Sequence, residues 1–263
     1  MTTPMGNLPA VVSADEWLVA RKALLAQEKE LTRARDRLNA ERRRLPMVRV
    51  EKEYRFTGPD GEVSLDDLFD GRPQLVMHHF MFAPDWDAAC ASCSSAADQI
   101  GNLRQLHVRN TTLVAVSRAP FPQIAAYRER MGWGFPWFSS YDSDFNWDFH
   151  ATLDDRVAPV QLHFRDESEL ESTGTPWTGA GWTADMRGEE MPGISVFLRV
   201  DDDIFHTYST FGRGIEEFHN GYPHLDLTPL GRQEEWEEPA GRAQSLGLQV
   251  GGPSMRPPDE YDV

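Results

Sequence analysis

Two cysteines, Cys90 and Cys93, stand three residues apart in the run Asp85-Trp86-Asp87-Ala88-Ala89-Cys90-Ala91-Ser92-Cys93-Ser94. An apolar stretch, residues 74–82, precedes them and a helix-like run follows, so the pair falls where a buried strand gives way to a helix. Thiols at that position are acidified by the helix N-terminus and can close into a disulfide. A C-x-x-C pair in a strand–helix–strand setting reads as a dithiol redox site. Cys90, at the first turn, is expected as the nucleophile and Cys93, one turn later, as the resolving thiol. Trp86 could shield them. Arg118, after the next strand, could hold a thiolate or an oxygen of the substrate, and Ser195 is a third candidate neighbour. Such a scheme needs no prosthetic group, only an external thiol reductant and a disulfide or peroxide to reduce. The rival chemistry is a zinc or copper site from Cys90, Cys93 and a remote His206. His78 and His79, adjacent on a strand, point to opposite faces and cannot easily share that ion. The third reading is a binding module without catalysis. Ser117 and Ser209 lack the setting of a hydrolase nucleophile.

Composition narrows the partners. The 263 residues carry a formal charge of −16, which disfavours nucleic acid and anionic membranes. No apolar run reaches the roughly 18 residues that a membrane span requires, and the first residues lack the order of a secretory signal. A cytoplasmic location is expected, where a permanent structural disulfide is rare.

The positioning elements follow from periodicity. Residues 1–12 read as a flexible N-terminus. From 13 to 45 there is no Gly or Pro, Ser13 and Glu16 form a capping-box signature, and Trp17, Leu24, Leu31, Leu38 and Leu45 recur every seven residues. This long helix offers a stripe through which a homodimer could form. Val48 to Phe56 alternates as one half-buried strand, residues 58–61 turn, and 64–69 form a short helix. A strand over 74–80, a helix from about 88 to 108, a buried strand over 111–117 and a helix from Phe121 to Met131 closed by Gly132 come next, with a short strand near 135–138. Residues 152–192 have no clear period and read as an insertion; Trp177 and Trp182 make it a candidate lid. Ile194–Arg199 and Ile204–Ser209 read as a hairpin, and a helix ends near 216–220. The acidic, Pro- and Gly-containing stretch 233–263 reads as a disordered tail. Together, 46–232 are expected to form an α/β sandwich with a mixed central sheet, the thioredoxin-like order.

Several runs are familiar together: Val48 to Tyr54, His79 to Trp86, Val114 to Pro120, Met131 to Trp137, Ser143 to Asn146 and His206 to Thr210. From about residue 13 to Arg232 the chain resembles the bacterial family called domain of unknown function 899. That resemblance implies a fold of the thioredoxin and peroxiredoxin superfamily. Thioredoxins hold a proline directly before the strand that faces the thiols; Pro192 lies near that place, with the strand expected to begin at Ile194.

Overall fold

The structure, a computed structural model, describes residues 8–173, 186–218, 225–228, 232–236, 244–249 and 252–260. Helix α1 spans Ala14–Arg42. Its start follows from the capping box: the Glu16 N–H donates to the Ser13 hydroxyl, and the Glu16 carboxylate accepts from the Ser13 N–H at 2.9 Å. None of its 29 residues is buried. Arg35 pairs with Glu217 at 3.5 Å and Arg42 lies over the Tyr208 ring, which ties its C-terminal half to the body.

The body is built on an eight-stranded sheet. In chain order its strands are β1 (Val48–Arg49), β2 (Arg55–Gly58), β3 (Gly61–Ser64), β4 (Gln74–His79), β5 (Thr111–Ser117), β6 (Trp137–Ser139), β9 (Gly193–Val200) and β10 (Asp203–Phe211). Their spatial order is β1-β10-β9-β4-β5-β6-β2-β3. β4, β5 and β6 run parallel; β9 adds to β4 antiparallel and leads through a hairpin to β10. β4 and β5 are largely buried, with apolar centres at Leu75–Met77 and Leu113–Val116, because both faces are covered. Helices α2 (Ala91–Ala97) and α3 (Arg104–His107) connect β4 to β5, and α4 (Phe121–Met131) connects β5 to β6. Gly132 closes α4 at φ +69°, a backbone region that glycine enters without strain. This is the thioredoxin-like α/β sandwich expected.

Alternation along the strands builds two cores. Leu75, Met77, Val114, Val116 and Phe197 share one face with Tyr54, Phe56 and Phe145. Phe80, Ala115, Ile124, Tyr127, Phe135 and Trp137 pack on the other, together with Ala89 and Cys93. The segment 152–192 has a third, smaller core of Leu153, Val160, Leu162, Leu170 and Met191. It contains β7 (Thr152–Leu153) paired with β8 (Glu189–Glu190), and α6 (Glu167–Thr173), which follows the short α5 (Phe145–Asp148). Trp177 and Trp182, the lid candidates, lie outside the described residues.

Four expectations are corrected. The run from Val48 to Phe56 falls in two strands at opposite sides of the sheet, β1 at one edge and β2 between β6 and the far edge β3, because the chain crosses over between them. There Lys52 binds Asp144 and Asp148 at 2.7 Å and the Tyr54 hydroxyl donates to Asp148 at 2.8 Å. The helix expected over 88–108 is two short ones interrupted around Gly101. β9 begins at Gly193, so Pro192 directly precedes it; a Cβ at Gly193 would stand 2.4 Å from the Phe211 ring. Finally, part of the tail expected to be disordered folds back. Pro258–Glu260 forms a 3-10 turn against α2, held by Arg130, whose guanidinium donates to Asp259 at 2.6 and 3.0 Å and to Glu260 at 2.8 Å.

Candidate active site

The loop from β4 to α2 is pinned from both sides. The Phe80 N–H donates to Val116, the Ser117 hydroxyl to the Phe80 carbonyl, and the Ala119 N–H to Phe82, which fixes the loop against the end of β5. The Cys90 N–H donates to the Met81 carbonyl at 3.0 Å, folding the loop back so that Cys90 occupies the N-cap position of α2. Inside the first turn the Ser94 hydroxyl donates to the Cys90 carbonyl and contacts the Tyr127 hydroxyl, both at 2.9 Å. Trp86, half-buried, packs on the same apolar cluster as the thiols.

Both cysteines are free thiols, Cys90 half-buried and Cys93 buried. Their acidities diverge. The Cys93 thiol, donating to the Cys90 sulfur, is the largest influence on Cys90. With the N–H groups of Cys93 and Ser92 and the Ser92 hydroxyl it outweighs burial and pulls the Cys90 thiol down to about 6. Cys93 is pushed well above the ordinary thiol range, first by Cys90, then by burial and by the charge of Glu190. The two shifts run in opposite directions, and the thiol drawn down, Cys90, is the less buried of the two.

A buried polar network stands beside it. Glu190, on β8 and 2 % exposed, accepts from Arg118 at 2.7 Å and from the Thr152 hydroxyl at 2.9 Å. Asn146 joins it through Thr152 and is held by the Ser140 hydroxyl at 2.7 Å. Burial raises the Glu190 carboxyl above its usual range, against the pull of Arg118. Arg118 also lies over the Trp147 ring. Of the sequence candidates, Cys90, Cys93 and Trp86 share one cluster, while Arg118 pairs with Glu190, whose charge acts on Cys93. Ser195 does not join them. It stands opposite Met77 on the other face of the sheet, 2.7 Å from both His79 Nε2 and the Ser209 hydroxyl. His206 is on that face too, packed on Phe149 and Phe197 and bonded to Ser209 at 2.7 Å. The sheet separates it from the thiols, which removes the proposed Cys90–Cys93–His206 ligand set. Among the described residues no group of three or more His, Cys, Asp or Glu is arranged to hold a metal. Asn146 falls in one of the familiar runs, but Glu190 and Thr152 carried no sequence signal: an acid in a Gly- and Glu-containing stretch reads as a surface residue.

The family model for "Bacterial protein of unknown function (DUF899)" matches residues 6–256. The chain belongs to that family. No curated protein matches it. Among solved structures it is similar to peroxiredoxin Q of Xanthomonas campestris, with TM-score 0.39 and 11% identity over 60% of this chain and 78% of that one. It is also similar to peroxiredoxin 6 of Arenicola marina, at 0.42 and 12% over 69% and 74%, and to peroxidoxin BcpB of Mycobacterium tuberculosis, at 0.36 and 13% over 64% and 86%. No helix among the described residues is long and apolar enough to cross a membrane.

Proposed function

We propose that this protein is a dithiol–disulfide oxidoreductase working through Cys90 and Cys93 in a reducing compartment. The observation that carries the reading is the placement of the pair: a half-buried free Cys90 thiol at the N-cap of α2, its acidity drawn down by Cys93, beside a buried free Cys93 thiol whose acidity is pushed up. Thiolate attack needs the first, and release of product needs the second. In the reaction, Cys90 Sγ attacks one sulfur of the substrate disulfide. The substrate S–S bond breaks, a mixed disulfide forms and one substrate thiolate leaves. Cys93 then loses its proton and attacks Cys90 Sγ, which expels the second substrate thiolate and leaves the Cys90–Cys93 disulfide. Two electrons pass from the dithiol to the substrate, and an external thiol reductant returns them. A peroxide can take the place of the disulfide: attack of the Cys90 thiolate on one oxygen breaks O–O, the other oxygen leaves as an alcohol or water after taking a proton, and the sulfenic acid left on Cys90 is attacked by Cys93, which forms the disulfide and releases water.

The test is a titration of the protein against glutathione redox buffers, the thiol state read by alkylation and intact mass. A loss of two hydrogens at a defined potential is expected. Cys90→Ser abolishes turnover with a model disulfide, whereas Cys93→Ser accumulates the mixed disulfide. Equal residual activity in both variants would remove the assignment.

A further inference from the structure

Helix α1 is the largest element that the body does not use. An isolated helix is marginal in water, and helices in folded proteins draw most of their stability from a packed face. Yet α1 has no buried residue over 29 positions. Its apolar stripe stands in solvent: Trp17 is 58 % exposed, Leu24 50 %, Leu31 63 %, Leu38 58 % and Leu45 52 %. These five residues keep a strict interval of seven, the period at which two helices supercoil around each other rather than the 3.6-residue period of a helix lying on a globular body. Between them fall Ala20, Gln27, Ala34 and Glu41, two of which are small enough for a close approach. The ties to the body, Arg35 to Glu217 and Arg42 to Tyr208, lie on the row four residues on from Leu31 and Leu38, beside the stripe, whose own side chains stay exposed.

We propose that the stripe is covered by α1 of a second copy of this chain, the two helices running antiparallel about a twofold axis near Leu31. Charge chooses both the occupant and its direction. Nine basic and six acidic residues between 14 and 45 give this segment +3, so the rest of the −16 chain carries −19. A parallel pair would bring two strongly acidic bodies together at one end; an antiparallel pair sets them at opposite ends of a helix about 43 Å long. It also lays Asp15 and Glu16 of one copy beside Arg42, Arg43 and Arg44 of the other, at helix ends whose dipoles oppose. Leu24 then meets the partner's Leu38, Leu31 its own counterpart, and Trp17 the turn that follows the partner's helix. The surface covered is on the order of 1,000 Å², the range in which specific association begins.

The test is light scattering on the full chain at tens of micromolar. A mass of twice 29.8 kDa is expected for the natural sequence, and the single-chain mass for Leu24→Glu and Leu31→Glu. Both variants should keep the near-ultraviolet dichroism and the Cys90 alkylation rate of the parent, since α1 does not touch the thiol site. A monomeric parent overturns the proposal, whatever else covers α1; so does a dimer that survives Leu31→Glu. Direction is read by single cysteines in a background lacking Cys90 and Cys93. Glu16→Cys chains should cross-link to Arg44→Cys chains and not to one another, and the reverse result overturns the antiparallel pairing.

Discussion

At the residue scale, two neighbouring thiols of identical chemistry are separated by what each faces. Cys90 receives hydrogen bonds; Cys93 gives one, is buried, and stands in the field of Glu190. Alkylation of the reduced protein with iodoacetamide should therefore fall on Cys90, with a half-maximal rate near pH 6 and about a tenfold loss per pH unit below it. Peptide mapping after timed alkylation checks both statements, and Cys93 should stay unmodified until the protein unfolds. Glu190→Gln has two separable consequences. It removes the negative charge acting on Cys93, so closure of the disulfide from the mixed intermediate should run at lower pH than in the parent, as stopped-flow quenching would show. It also leaves Arg118 without its counter-charge in a largely buried place, at a cost of about 3 kcal/mol in urea unfolding.

At the scale of elements, α2 is only seven residues long, too short to stand alone, and its anchoring runs through side chains. Ser94 contacts the Tyr127 hydroxyl, Arg130 lies over the Tyr127 ring, and Asp259 and Glu260 hold Arg130. The far end of the chain thus bears on the turn that presents Cys90. Arg130 is 40 % exposed in its side chain, so each of its ion pairs contributes no more than about 0.5–1 kcal/mol. Arg130→Ala should raise amide exchange over residues 91–97 several-fold by mass spectrometry and leave the sheet unchanged. None of this line was legible in sequence, where an acidic, proline-containing tail carries the signature of disorder and nothing points from residue 259 to residue 130. Local signals did better. The Ser13–Glu16 box, the Gly132 stop and the two apolar strands β4 and β5 were readable because each depends on neighbours in the chain. The alternation from Val48 to Phe56 misled because period two reports a pleated strand and says nothing of which sheet edge it joins. Ser195 and His206 misled for a related reason: their strands could be read, but the face they present depends on a register set by β4, more than a hundred residues earlier.

Across the whole molecule, the face of the sheet away from the thiols holds a line of short contacts, each 2.7 Å, from His79 through Ser195 and Ser209 to His206. His206 Nε2 also faces the Tyr208 carbonyl, an acceptor, so that nitrogen carries the hydrogen. His79 is stacked between Phe145 and Phe211, and burial drives its imidazole down to about 3. The unfolded chain takes up a proton near pH 6.5 that the folded protein refuses. The stabilisation is complete above pH 6.5 and is lost as the pH falls towards 3, at up to about 1.4 kcal/mol per unit. Moving from pH 6.5 to 5 should cost about 2 kcal/mol from His79 alone, seen as a lower urea midpoint, and His79→Phe should flatten that slope. The same sheet sets an order on biosynthesis. β9 sits between β4 and β10 although it leaves the ribosome long after β4. One hydrogen-bonding edge of a central, largely buried strand therefore waits unpaired for roughly ten seconds at ordinary rates of translation. During that interval the nascent chain is open to strand-to-strand aggregation and is a natural client for a chaperone that shields sheet edges.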